Sequence, residues 1–238
     1  MSRWFVIGNG PSLNNTPLDG LIGENTIAMN RIHLIYDRVK WRPTIYVKID
    51  YNPHLKDVWQ ENVLLHLRMG IPCYLWAPLR DGLPEGHPNH DILKSGVGEW
   101  PNAVWVPHCE HAPYRGDNVK AVKEWHLPEI CTALSKISAA MQIAVLNGAT
   151  SIYLVGCDIK LTDGNDHFKE DYMPESGHRA ELSEQTEQNF IYAHKLAKKS
   201  CPVPIYNATV GGYLELYKRV NIFDLLNIPE GTLCPTKS

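Results

Sequence analysis

The sequence predicts an α/β fold of Rossmann-like type, a mostly parallel sheet with helices on both faces and a lid or insert. Three observations predict it. Short β-branched and aromatic runs are apolar at successive positions, as strands covered on both faces must be. Helical patterns alternate with those runs along the chain. Polar and glycine-rich residues cluster just after the runs, where open α/β sheets bind ligands.

The first strand reads Trp4-Phe5-Val6-Ile7 and stops at Gly8-Asn9-Gly10-Pro11-Ser12-Leu13. Thr26-Ile27-Ala28-Met29 reads as the second, ending in Asn30, and Pro43 to Ile49 as the third, ending in Asp50. After Pro53, the stretch from Leu55 to Met69 places Leu55, Val58, Trp59, Leu64 and Leu65 at helical spacing, and Gly70 closes it. Cys73 to Trp76 and Ala103 to Val106 are further strands. From Thr132, an N-cap residue type, to Asn147 the pattern is a helix with Leu134, Ile137, Met141, Ala144 and Val145 on one face and Gly148 as its stop. Ser151 to Val155 is a strand that enters Gly156-Cys157-Asp158. Glu181 to Lys199 is a helix, acidic early and basic late as its dipole favours. Pro204-Ile205-Tyr206 closes the series as a short strand. Residues 77–127 form an irregular insert and 159–180 a polar loop within one domain over 1–238. Irregular segments of that length are usually functional.

Composition bounds the function. The chain has 238 residues, 44% hydrophobic and 21% charged, which excludes disorder and coiled coil as whole-chain readings. A chain of this size buries roughly 70–75% of its unfolded surface, so it needs no disulfide or structural metal. With 23 basic against 26 acidic residues, net −3, it has no general attraction to nucleic acid or anionic lipid. No apolar run reaches the roughly 18–20 residues of a membrane span, and the N-terminus reads as neither signal peptide nor anchor. The expectation is a soluble, cytoplasmic protein. The six cysteines lack any CxxC pair and read as buried small apolar residues. His108-Cys109-Glu110-His111 is too compact to complete a tetrahedral metal site without a second cluster.

Three groups of residues carry chemistry. The glycines of the 8–13 turn let a ligand approach the backbone, and the amides there suit phosphate. The turn is neither GxGxxG nor a P-loop, and a plain tight turn fits it equally. Asn30 and Asp50 end adjacent strands and suit a ribose or base, or else cap turns. The segment 158–178 offers Asp158, Asp163, Asp166, His167, Asp171, Tyr172 and His178, either as an active-site loop with a histidine base or as a solvated acidic loop. Its Asp163-Gly164-Asn165-Asp166 run does not fit the EF-hand spacing.

Gly8-Asn9-Gly10-Pro11-Ser12-Leu13, Met29-Asn30 and Ile152-Tyr153-Leu154-Val155-Gly156-Cys157-Asp158 resemble the bacterial lipo-oligosaccharide sialyltransferases. They resemble more closely a wider hydroxymethylpterin-diphosphokinase-like family that contains many glycosyltransferases. That family is also similar at His167-Phe168, Asp171-Tyr172 and Asn207 to Glu215. The resemblance covers most of 3–50 and 128–220 and none of 77–127. It implies one Rossmann-like glycosyltransferase domain acting without a metal, with nucleotide contacts at Asn9 and Asn30, beside which Gly8, Gly10 and Ser12 of the same turn are nucleotide-site candidates. A third family asparagine falls at Asp50 by spacing and at Asn52 by its Tyr-Asn-Pro setting. The family's Arg-Ile-Thr-Ser run falls near Ala133-Leu134-Ser135-Lys136, which assigns Ser135 and Lys136 to the nucleotide. Its arginine is absent here, which speaks against a sialic-acid donor. The resemblance places Asp158, Tyr172, Asn207 and Thr209 on the substrate side. The sialyltransferase base matches His178 in Gly177-His178, whereas the wider family favours His167.

These readings converge on a nucleotide-sugar-dependent glycosyltransferase with a histidine base, no cofactor and no metal. The acceptor is a glycan or another hydroxyl, and the net charge argues against a nucleic-acid base. Two alternatives stand beside it: a pterin diphosphokinase, using ATP with magnesium held by Asp50 and Asp158, and a non-catalytic nucleotide-binding module.

Overall fold

The structure, a computed structural model, describes residues 2–49, 56–76, 100–106, 125, 130, 135–159, 167–169, 172 and 184–232. The strands are β1 (Arg3–Ile7), β2 (Asn25–Met29), β3 (Ile45–Lys48), β4 (Cys73–Trp76), β5 (Ala103–Val106), β6 (Ser151–Val155), β7 (Ile205–Asn207) and β8 (Lys218–Arg219). They form one sheet of order β5-β4-β3-β2-β1-β6-β7-β8. Every pairing among the described strands is parallel. The helices are α1 (Lys56–Arg68), α2 (Lys136–Leu146), α3 (Glu184–Ser200) and α4 (Ile222–Leu226).

Alternation along β1 explains its unbroken apolar run. Phe5 and Ile7 enter one core with Val63 and Leu67 of α1 and Ile222 and Phe223 of α4. Trp4 and Val6 enter the other with Ala139, Ala140, Met141 and Ala144 of α2 and Ala197 of α3. Both faces are covered, so both phases of the strand must be apolar. Alanines on α2 bring that helix close to the sheet, and Ser138 to Val145 are all buried.

Several boundaries differ from the sequence reading. The helix expected from Thr132 is capped by Ser135, whose extended backbone (φ −140°) precedes Lys136; Thr132 lies outside the described residues. β7 begins and ends one residue later than expected and takes in Asn207. The strand expected at 103–106 forms as β5, paired with β4 at the sheet edge, so that part of the 77–127 span is not irregular. β8, α4 and three short 3₁₀ helices at Pro11–Asn15, Leu18–Leu21 and Ile32–Ile35 were not foreseen. Cys73 and Cys157 are buried free thiols, as expected, and Cys201 is half-buried. Among the described residues no helix is long and apolar enough to cross a membrane.

The topology sets where the crevice of the sheet lies. From β1 the chain builds outward through β2 to β5, then crosses to the other side of β1 to lay down β6, β7 and β8. The carboxyl ends of β1 and β6 therefore flank the switch point, the position where open α/β sheets leave a crevice.

Two histidines are buried in this framework. His66 on α1 is fully buried, as is His194 on α3. Burial pushes both down to about 4 from the ordinary 6.5. Both are neutral when folded, so the unfolded chain binds more protons between those values. Their contribution is complete above about pH 6.5 and is lost as the pH falls toward 4. Urea denaturation should show stability falling by on the order of 2 kcal/mol per histidine between pH 7 and pH 5. Equal stability at the two values would show that the rings are not held neutral.

Candidate functional site

The turns after β1 and β6 are joined backbone to backbone. Gly8 N–H donates to Val155 O at 2.8 Å and Gly10 N–H to Gly156 O at 2.9 Å, carrying the β1–β6 ladder past both strand ends. A Cβ on Gly8 would stand 2.4 Å from Gly156 O, and one on Gly10 1.8 Å from Asp158 Oδ2. These glycines are required by the approach of one turn to the other; the sequence left a ligand site and a plain tight turn equally open. The Ser12 hydroxyl donates to Asp158 Oδ2 at 2.7 Å across the same seam. Asp158 is buried, which pushes its carboxyl above the usual range against the pull of the Ser12 hydroxyl and the Arg219 charge. Ile159, next in the chain, has φ +67°, a region that β-branched residues rarely adopt, so backbone strain is stored beside the carboxylate.

Asn9 and Asn30 stand at the ends of neighbouring strands. The Asn9 amide donates through Nδ2 to Met29 O at 3.2 Å, which fixes its orientation. Its Oδ1 is buried and has no hydrogen-bond partner among the described residues. Asn30 adopts φ +55°, which asparagine tolerates, and its carbonyl accepts from the Tyr46 hydroxyl at 2.8 Å. Its Oδ1 is likewise buried and unpartnered among the described residues. A buried acceptor left unpaired costs about 1–3 kcal/mol. Two such acceptors at one strand edge are open to donors from outside the described residues.

The described part of the polar loop docks onto these turns. Phe168 N–H donates to Asn9 O at 3.1 Å, and Asn14 Nδ2 donates to Phe168 O at 2.9 Å. Arg31 N–H donates to the Tyr172 hydroxyl at 3.1 Å, and the Arg31 guanidinium donates to Tyr172 O. The half-buried His167 ring stacks on Tyr172 with centroids 3.9 Å apart and planes 8° apart. Nearby His33 is held down to about 4 by burial and by the charges of Arg31 and Lys169.

Gly8, Asn9, Gly10, Ser12, Asn30, Asp158, His167 and Tyr172 thus gather at the switch point. Ser135 and Lys136 open α2, which packs on β1 and β2 and runs back against them toward the start of β6. Its N-terminus therefore lies at the same edge. The Ser135 side chain makes no cap bond, and Ser138 Oγ is buried without a partner among the described residues. Asn207 and Thr209 lie deeper. Asn207 donates to Leu214 O at 2.7 Å and accepts from Thr209 N–H at 3.0 Å. The Thr209 hydroxyl accepts from Cys157 N–H at 3.2 Å. These bonds hold the 209–214 turn against Asp158, whose carbonyl accepts from Tyr213 N–H at 3.0 Å. Asp50, Asn52, His178 and the His108–His111 run lie outside the described residues. Sequence reasoning missed Arg31 and Arg219. Arg31 follows Asn30 directly, whereas Arg219, which clamps the carbonyls of Thr209, Gly211 and Gly212, has no local signal. Among the described residues no group of three or more His, Cys, Asp and Glu side chains gathers to hold a metal ion.

No family model matches the chain, and no curated protein does. Among solved structures it is similar to the MAf glycosyltransferase from Magnetospirillum magneticum AMB-1, at 11% identity and a TM-score of 0.52 over 92% of this chain and 33% of that one. It is also similar to the sialyltransferase CstII from Campylobacter jejuni, solved with a substrate analogue, CMP-3FNeuAc. That likeness has 14% identity and a TM-score of 0.52 over 100% of this chain and 90% of that one. The chain spans a third of the length of the first and nine-tenths of the second. At these identities the likeness is one of fold.

Two substitutions test the seam. Gly10→Ala must drive Asp158 away from Ser12 and should destabilise by about 1–3 kcal/mol. Asp158→Asn keeps an acceptor for Ser12 but removes a carboxyl whose ionisation burial opposes. A raised folded value means stability is fullest below the ordinary carboxylate range and is lost as the pH rises. The variant should therefore match or exceed the parent in urea at pH 7, with its advantage shrinking as the pH is lowered. A less stable variant at pH 7 would show that the ionised carboxylate holds the turns together.

Proposed function

We propose that the chain is a nucleotide-sugar-dependent glycosyltransferase. The observation that carries this reading is the pair of buried amide oxygens of Asn9 and Asn30 at the switch point, unpartnered among the described residues. Acceptor oxygens match ligand hydroxyl or amino groups, which a nucleoside supplies and a bare phosphate does not. The opening of α2, with Ser135 and Lys136, suits the phosphate, because its first N–H groups and the helix dipole favour an anion. The fold likeness to CstII, solved with CMP-3FNeuAc, supports a nucleotide-sugar donor.

In this reading His167 takes the proton of an acceptor hydroxyl. The acceptor oxygen forms a bond to the anomeric carbon of the donor. The bond from that carbon to the phosphate oxygen breaks, and the nucleotide leaves with the electron pair. The developing charge falls on the α2 N-terminus and Lys136, so no metal is needed. Tyr172 fixes the imidazole plane by stacking.

Calorimetry with CMP, UDP and GDP, without magnesium, tests the nucleotide site. Asn9→Ala and Asn30→Ala should each weaken binding by about 1–2 kcal/mol in a folded protein. Unchanged affinity in both would remove the site from these strand ends. His167→Ala should slow release of nucleotide from its sugar donor by roughly 10²–10⁴-fold with donor affinity nearly unchanged. Parallel loss of binding and turnover would make His167 a loop anchor, and unaltered turnover would exclude it as the base. Turnover should survive EDTA; abolition by chelation with rescue by magnesium would favour the kinase alternative.

A further inference from the structure

We infer that Tyr46, seated on His66, is a positioning residue that holds Asn30 in the geometry the nucleotide requires. The inference rests on the nucleotide site proposed above. Asn30 leaves β2 in the left-handed region, and the Tyr46 hydroxyl holds its carbonyl at 2.8 Å. Tyr46 lies on β3 opposite Ala28 of β2 and is fully buried. Its ring stacks on the His66 imidazole with centroids 3.8 Å apart and planes 9° apart. The imidazole is itself fixed at both nitrogens. Nδ1 lies 2.6 Å from Asn62 O, which can only accept, so Nδ1 carries the proton. Nε2 is then the acceptor for the Tyr36 hydroxyl at 2.8 Å. The Arg42 guanidinium covers the Tyr36 ring at 4.1 Å.

A polar chain thus runs from α1 through His66 and Tyr46 to the end of β2. Apolar side chains of similar volume would fill this space at least as stably, since buried polar networks gain little net stability over good packing. What they would not supply is a donor to the Asn30 carbonyl. That bond fixes the residue whose side-chain oxygen is buried and unpartnered among the described residues. Fixing it in advance removes an ordering cost from ligand binding.

The test is a double-mutant cycle read by calorimetry with CMP, UDP and GDP, using whichever binds the parent most tightly. Tyr46→Phe keeps the ring on His66 and loses only the hydroxyl. It should weaken nucleotide binding about tenfold and raise KM for the donor with kcat unchanged, as expected for a group that binds ground and transition state alike. Combined with Asn30→Ala it should add little beyond the single Asn30→Ala loss, because it acts through that residue. His66→Gln, which keeps a donor for Asn62 and an acceptor for Tyr36 but removes the ring, should weaken binding in the same non-additive way, and it stands in if Tyr46→Phe does not fold. If the parent binds none of the three nucleotides, the proposed site fails and this inference with it. If the parent binds but Tyr46→Phe binds equally well, or if the two losses simply add, the nucleotide site stands and the positioning role is overturned.

Discussion

The organising constraint is the contact between the turns after β1 and β6, where backbone meets backbone with no room for a Cβ. Gly8 and Gly10 donate to Val155 O and Gly156 O, and Gly156 (φ +67°) leaves no space beside Leu13, where a Cβ would stand 2.6 Å from Cδ2. Through this seam Asp158 reaches Ser12. The same turn presents the Asn9 carbonyl to Phe168 and so brings His167 to the strand ends. On the other side the 209–214 turn closes on Asp158, with a Gly212 Cβ only 3.0 Å from Asp158 Cα. Asp158, Ser12, Asn9 and His167 are thus placed from this one seam.

The seam carries features that oppose stability. Asp158 is a buried carboxyl pushed upward by its surroundings, Ile159 beside it is strained, and two amide oxygens next door lack partners among the described residues. Such features persist only where the surrounding structure over-determines them, and they cluster at functional sites. Here the over-determination is visible. Asn9 is held by Met29 and Phe168, and Asn30 by Tyr46. In the neighbouring turn, Asn207 and Arg219 hold Thr209 to Leu214.

The strands were legible because a sheet covered on both faces must be apolar in both phases, and β1, β2 and β6 are. The Gly8–Leu13 turn and Asp158 were legible because polar residues directly after such runs sit at the carboxyl edge. The cause of the glycines was not, since a glycine that admits a ligand and one that admits another turn look alike in one dimension. Cap preference points to Thr132, yet Ser135 stands at the N-cap position of α2 without a side-chain cap bond, so an N-cap residue type alone does not fix where a helix begins. Tyr46 and His66 read as ordinary strand and helix residues. Their polar roles arise only from contacts 16 and 30 residues away in sequence, to Asn30 and Tyr36. The same limit hides Arg219, whose carbonyl partners lie on the far side of a turn.

The two halves of the crevice differ in chemistry, and on the proposed reading the difference orients the nucleotide. At the ends of β1 and β2 the groups unpartnered among the described residues are acceptors, Asn9 Oδ1 and Asn30 Oδ1, which repel a phosphate and welcome hydroxyl or amino donors. At the end of β6 stands the Asp158 carboxyl; when ionised it turns an anion away. The remaining direction is the N-terminus of α2, where N–H groups, a Ser135 side chain that makes no cap bond and Lys136 meet. A nucleotide that satisfies all three conditions lies with its nucleoside over β1 and β2 and its phosphate toward α2. On that reading the bond to be broken faces His167, whose neighbour Phe168 is bonded to the Asn9 carbonyl. On the proposed reading, the placement of donors and acceptors determines both the order of the ligand's parts and the side from which an acceptor hydroxyl must approach.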